Sequence, residues 1–179
     1  LLFEAVAPGI EIVSDKSWQC TVYDAYQNTG APYPNYRLPE SNIRFDARME
    51  MSGWNQPGYT GKMPNAEVIS PVGGAPLGKL VERPIPLWKD YGLKPYVSVR
   101  RSAAGDTLYC RLPYNSQVTP YLKVEAPAGK VIHIRTDNYE GGSQYNVRAE
   151  YVTRDGVQEY ESLGWMNGHE MLYILPEGV

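Results

Sequence analysis

The sequence predicts an all-β protein, an antiparallel β-sandwich or jelly roll, and three observations predict it. Proline and glycine, 15 and 17 residues, punctuate the whole chain, and no apolar pattern of helical period persists for as long as about twelve residues. Several segments alternate with period two: Leu122 and Val124 face one way while Lys123 and Glu125 face the other, and Ile132 and Ile134 oppose His133 and Arg135. Such alternation marks an antiparallel sheet with one solvated side. Finally, Arg154-Asp155-Gly156 lies between the alternating runs 147–153 and 157–161. Asp-Gly in that setting predicts a tight turn closing a hairpin. On the hairpin's first arm, Val147, Ala149 and Tyr151 are expected on the core face, with Arg148, Glu150 and Val152 on a partly wet one.

The elements follow in order. Residues 1–7 and 10–13 read as strands around Pro8-Gly9, and 18–23 as a third strand after the turn Asp15-Lys16-Ser17. Residues 24–39, rich in Tyr, Pro, Asn and Gly, predict an irregular surface loop. A short extended or mixed segment follows at 43–51. Residues 52–79 hold Gly53, Pro57, Gly58, Gly61, Pro64, Pro71, Gly73, Gly74, Pro76 and Gly78, the composition of an extended connector. Val81–Leu87 is held extended by its prolines. From residue 80 the chain reads as one sandwich, with strands at 96–101, 107–112, 120–126, 130–137 and 170–175. The organisation is therefore 1–51, either a partial upstream sandwich or the first strands of the same one; 52–79, a connector; and 80–179, a β-sandwich domain.

Composition narrows the function classes. With 42% hydrophobic and 21% charged residues the chain is ordinary for a globular protein, and no apolar run reaches the ~18 residues of a membrane helix. The formal net charge is −3, and the only adjacent arginines are Arg100-Arg101. That is no electrostatic footprint for nucleic acid or an anionic membrane. Cys20 and Cys110 stand far apart in strand-like surroundings and are expected to be buried free thiols. The chain starts at Leu1 with no signal-peptide pattern, as a processed protein or a fragment would. The rings are lopsided, 15 Tyr and 4 Trp against 2 Phe. Such rings suit half-buried rims, sugar contacts or domain interfaces, although Tyr is also simply common on sheets.

Phe45-Asp46-Ala47-Arg48-Met49-Glu50 followed by Gly53-Trp54, together with Val81-Glu82-Arg83-Pro84-Ile85-Pro86, resembles segments of the amino-terminal β domains of bacterial α-L-rhamnosidases. Gly156–Glu161 with Gly164-Trp165-Met166-Asn167-Gly168-His169 is similar to the end of the β-sandwich before their catalytic barrel, above all in Bacteroides-like relatives. The matches keep their order from about residue 43 onward. The resemblance implies a galactose-binding-like or concanavalin-like sandwich of a periplasmic or extracellular glycoside hydrolase. Its catalytic acids would lie in a helical barrel outside these residues, so no catalytic residue is expected here. The implied partners are that barrel and rhamnosylated, plant-type glycans. Tyr114-Asn115-Ser116-Gln117-Val118-Thr119-Pro120 departs from the Gly-Gln-Asn pattern of many members.

The candidate residues each carry two readings. Glycoside hydrolysis needs a pair of carboxylates, one with raised pKa; Asp46 with Glu50 and Glu159 with Glu161 are the pairs to consider. Trp165, Asn167 and His169, in a loop around Gly164 and Gly168, combine a flat ring with planar hydrogen-bonding groups. They fit a sugar site or a docking surface for the next domain, the docking surface being the better fit to one region of a multidomain enzyme, and Tyr139 and Arg148 are grouped with them. Asp137, Asn138 and Glu140 cluster oxygen donors in a Gly-rich loop, as calcium prefers; such residues also cap turns. His133 and His169 lack zinc-ligand spacing.

Overall fold

The computed structural model describes residues 4–33, 42–70, 74–75, 78, 81–87, 89–139 and 147–179, with only the backbone of 4–6 and 139. Two compact units emerge, Leu1–Val22 with Gly53–Gly92 and Tyr23–Ser52 with Leu93–Val179.

In the first unit, β1 (Glu4–Ala7) and β2 (Ile10–Val13) form the expected hairpin across Pro8-Gly9, where Gly9 takes φ +77°. The strand expected at 18–23 is reduced to one bridge, Gln19 opposite Asn65, flanked by Cys20 N–H to Pro64 O at 3.0 Å and Ala66 N–H to Trp18 O at 2.7 Å. Its partner segment carries Pro64, which has no N–H to extend a ladder.

The second unit is a β-sandwich. Its strands are β3 (Tyr26–Asn28), β4 (Ile43–Asp46), β5 (Ser98–Arg101), β6 (Thr107–Val118), β7 (Tyr121–Ala126), β8 (Val131–Thr136), β9 (Ala149–Val152), β10 (Gly156–Glu161) and β11 (Met166–Ile174). Seven of them form one sheet in the order β3-β4-β9-β8-β11-β6-β5, and β10 with β7 forms a second. The pairing is antiparallel throughout except between β4 and β9, which run parallel. Of residues 1–51, Tyr26–Asn28 and Ile43–Asp46 are strands of the same sheet as the later ones, while Leu1–Val22 belong to the first unit. The loop expected at 24–39 thus yields one short strand, while residues 34–41 lie outside the described part.

Alternation builds the core. Phe45, Tyr151 and Ile132 lie in one row of the large sheet, and Ala149, Ile134, Tyr173 and Leu108 in the next. Against them pack Leu122 from β7 and Tyr160 from β10. Phe45, Tyr151 and Tyr160 stack with centroids 4.9–6.0 Å apart, so several tyrosines are core residues rather than rim residues. Tyr173, on the large sheet, donates to Tyr121 O of the second sheet at 2.9 Å and accepts from Tyr96 at 2.7 Å. Burial pushes the Tyr173 phenol well above its usual range.

The hairpin expected around Asp155-Gly156 does not form. Gly156 adopts φ +86° and the chain reverses, but β9 pairs with β8 and β4 while β10 pairs with β7. Both edges of β9 are taken, so β10 crosses to the other sheet. The turn signal reports local backbone geometry; which strand lies alongside is a tertiary matter. Similarly, β9 is buried on both faces, so its second face, expected to be partly wet, is not. The polar loop expected at 164–169 is largely strand, because β11 begins at Met166. Cys110 is buried and its thiol is pushed up to about 11 by burial, whereas Cys20 is exposed, against expectation.

Candidate functional site

The expected site residues fall into two places. The first is the end of the large sheet where β8, β11 and β6 meet. Between Gly168/Ser116 and Glu170/Arg111 the register of β11 against β6 shifts, so residues 112–115 of β6 stand opposite His169 alone, as a bulge. A 3-10 turn, Asp137–Tyr139, follows β8 beside it. Asp137 Oδ1 accepts from the backbone N–H groups of His169 at 2.8 Å and Glu170 at 3.0 Å, and Oδ2 lies 3.4 Å from His169 Nδ1. Partial burial opposes ionisation of Asp137, but those N–H donors outweigh it and hold the carboxyl below its usual range. Thr136 donates to Asn167 O at 2.8 Å, and Asn138 Nδ2 to Asn115 Oδ1 at 3.2 Å.

Asp137, Asn138, Asn167 and His169 are therefore neighbours, as Asn115 is, beside an exposed Tyr114. Gly168 lies against this corner so closely that an added Cβ would sit 2.6 Å from Asp137 Oδ1 and from Thr136 Cβ. Trp165 is half-buried just before β11. For the calcium set, Asp137 Oδ1 is turned to backbone N–H groups, Asn138 to Asn115, and Glu140 lies outside the described residues. Of Tyr139 only the backbone is described.

Arg148 lies elsewhere, on the outer face of the large sheet. Its guanidinium is buried and meets Glu150 at 2.6 Å; Glu150 also takes Arg44 at 3.1 Å. Arg148 donates further to the carbonyls of Pro32, Gly30 and Ala31 at 2.9–3.2 Å, which fastens the 30–32 loop over the sheet. His133, whose pKa is lowered by burial and by the arginines around it in spite of Glu150, accepts from Arg148 Nε at 3.3 Å. A neutral imidazole with Nδ1 as acceptor fits that geometry better than an ion pair with Glu150 at 3.6 Å. Arg148 is thus a structural tie, and Glu150, expected only on a partly wet face, is its buried anchor.

Three of the four carboxylates in these pairs are met by arginine or lysine, and the fourth, Glu161, accepts from the Thr119 hydroxyl at 3.3 Å. Asp46 is held by Arg48 at 2.6 and 2.9 Å, Glu50 meets Arg154 at 3.0 Å, and Glu159 meets Lys123 at 2.7 Å. The carboxyls of Asp15, Asp46, Asp106, Asp137 and Glu159 are each held below the usual range by the hydrogen-bond donors around them, the opposite of what a general acid requires. Two open hollows, one lined by Glu125, Pro127, Asp155 and Gly156, the other by Gly105, Asp106, Pro176 and Glu177, contain none of the expected site residues.

No protein-family model and no curated protein matches the sequence. Among solved structures, an α-L-rhamnosidase from Dictyoglumus thermophilum is similar, with a TM-score of 0.67 and 22% identity over 95% of this chain and 19% of that one. At this identity the likeness is one of fold, at the level of a domain region, and the chain spans about a fifth of the rhamnosidase's length.

Proposed function

We propose that this chain is a non-catalytic β-sandwich region of an α-L-rhamnosidase-like glycoside hydrolase, working in the periplasm or outside the cell. Its task is to position a helical barrel that carries the catalytic acids and to help shape the approach of glycan to it. The observation that carries this reading is the fold likeness to one region of a far longer rhamnosidase, which coincides with the order of sequence motifs from residue 43 onward. The carboxyls of Asp46 and Glu159, each paired with a cation and held below the usual range, add to it, because a general acid needs the opposite shift.

A second reading, an independent jelly-roll carbohydrate-binding module, draws on the corner where Asn115, Asn138, Asn167 and His169 gather beside exposed Tyr114. Titration calorimetry with rhamnose and rhamnosylated oligosaccharides separates the two. The scaffold reading expects no saturable binding that depends on Trp165. Binding abolished by Trp165→Ala would establish the module instead. The scaffold reading also expects the coding sequence beyond Val179 to encode a helical barrel that co-purifies with this chain.

A further inference from the structure

The register of the large sheet places an unusual charge pattern on its outer face. Arg44 pairs across from Glu150, which pairs across from His133; Arg135 lies beside Leu172, Leu172 beside Tyr109, and Tyr109 beside Arg100; Glu170 lies beside Arg111. Arg148 precedes Ala149 and shares the face of Glu150. Among the described residues of these strands, five arginines, Arg44, Arg100, Arg111, Arg135 and Arg148, thus share the face with two central glutamates. Asp46, at one end, is matched by Arg48. The face is markedly positive in a chain of net charge −3.

We propose that this outer face is a docking surface for a carboxylate-bearing polysaccharide, such as a uronate polymer. The preference for a glycan over other polyanions rests on the proposed function, while the anionic character of the partner rests on charge complementarity alone. Glu150 is buried between Arg44 and Arg148, and Arg148 is roofed by the 30–32 loop, so the accessible part runs from Arg135 to Arg100 and Arg111. There Arg100 lies 3.6 Å above the Tyr109 ring and 3.3 Å from Glu170, with 60% of its side chain exposed. Stacking presets the guanidinium plane, and a planar fork of donors suits a carboxylate.

What this face lacks argues against a protein partner. Leu172 is buried within it, and the exposed Val99, paired with core-facing Cys110, lies on the opposite face. Protein interfaces are centred on an apolar core, which is missing here. A flat polar surface with a half-buried aromatic ring suits a hydrated, charged sugar chain.

The test is affinity electrophoresis of the whole chain in gels containing polygalacturonate, neutral dextran or poly-L-glutamate. Retardation is expected in polygalacturonate alone, weakening as salt screens the contacts. Arg100→Glu with Arg111→Glu, at two exposed positions, should lower the apparent affinity by about tenfold or more, with an unchanged thermal melt showing that the fold persists. Arg100→Lys with Arg111→Lys should fall between. Absence of retardation in polygalacturonate, or retardation unaltered in the double glutamate variant, overturns the surface. Equal retardation by poly-L-glutamate overturns the glycan assignment in favour of an acidic protein partner. Neither outcome touches the scaffold reading, which stands or falls on Trp165-dependent rhamnoside binding and on co-purification with a barrel.

Discussion

Gln158 is where the sequence is least informative and the structure most specific. Its buried amide replaces the ladder that β9 and β10 never form: Nε2 donates to Arg154 O at 2.7 Å and Gly156 O at 2.8 Å, and Oε1 accepts from Arg154 N–H at 2.8 Å and Tyr151 OH at 3.1 Å. Removing such a hub strands buried donors and acceptors, which costs more than the bonds themselves are worth. Gln158→Leu should therefore destabilise the chain by about 2–4 kcal/mol in urea unfolding, and Tyr151→Phe, which removes one of the four bonds, by about 1 kcal/mol. Arg148 and Glu150 behave as a buried pair: Glu150→Gln should cost about 3–5 kcal/mol by leaving a cation uncompensated. Asp46 offers a pH readout. Its carboxyl is lowered chiefly by the hydrogen bond from the Arg48 side chain, against some burial, so its contribution is present above the unfolded value, near pH 4, and disappears as pH falls through the lower folded value. Asp46→Asn should cost about 1 kcal/mol at neutral pH, and the gap to the parent chain should close in unfolding curves taken in acid.

At the scale of elements, what could be read from the sequence was whatever depends on a residue and its near neighbours. The alternation of Leu122 and Val124 against Lys123 and Glu125, and of Ile132 and Ile134 against His133 and Arg135, reappears in the burial of β7 and β8. The reversal at Gly156 also holds. Pairing was not legible, because an Asp-Gly turn is equally good at closing a hairpin and at carrying a chain between sheets; only the occupation of both edges of β9 decides. The same limit explains the site. Asp137, Asn138, Asn167 and His169 could each be picked out by side-chain chemistry, whereas their convergence with Asn115 depends on a bulge in β6 whose local sign is Pro113 and whose partner no local pattern announces. The guanidinium of Arg148 marks it as a contact residue, but its reach to the Gly30–Pro32 carbonyls spans more than a hundred residues of sequence. Gly168 tests this packed corner. Its Cβ space is filled by Thr136 and Asp137, so Gly168→Ala should force the 3-10 turn away from β11 and destabilise by about 1–3 kcal/mol. The loss of Asp137's two N–H donors should appear as an upward move of its titration by NMR.

Among the described residues of the molecule the sandwich is unequal: seven strands on one side face two on the other. A two-stranded sheet is marginal by itself, so β7 and β10 hold together through what they bury against the larger sheet, principally Leu122, Tyr160 and the Gln158 arch. The central strands β8 and β11, hydrogen-bonded on both sides, depend on no such help. The unit should therefore open in two stages. Native-state hydrogen exchange is expected to show backbone amides of β7 and β10 exchanging through a lower-energy opening than those of β8 and β11. Tyr160→Ala, which removes a ring stacked 4.9 Å from both Phe45 and Tyr151, should cost about 3–5 kcal/mol and accelerate exchange in β7 and β10 first. Uniform acceleration across both sheets would mean that the sandwich opens as one cooperative body. The small sheet would then be a full partner in stability rather than a cover over the large sheet's core face.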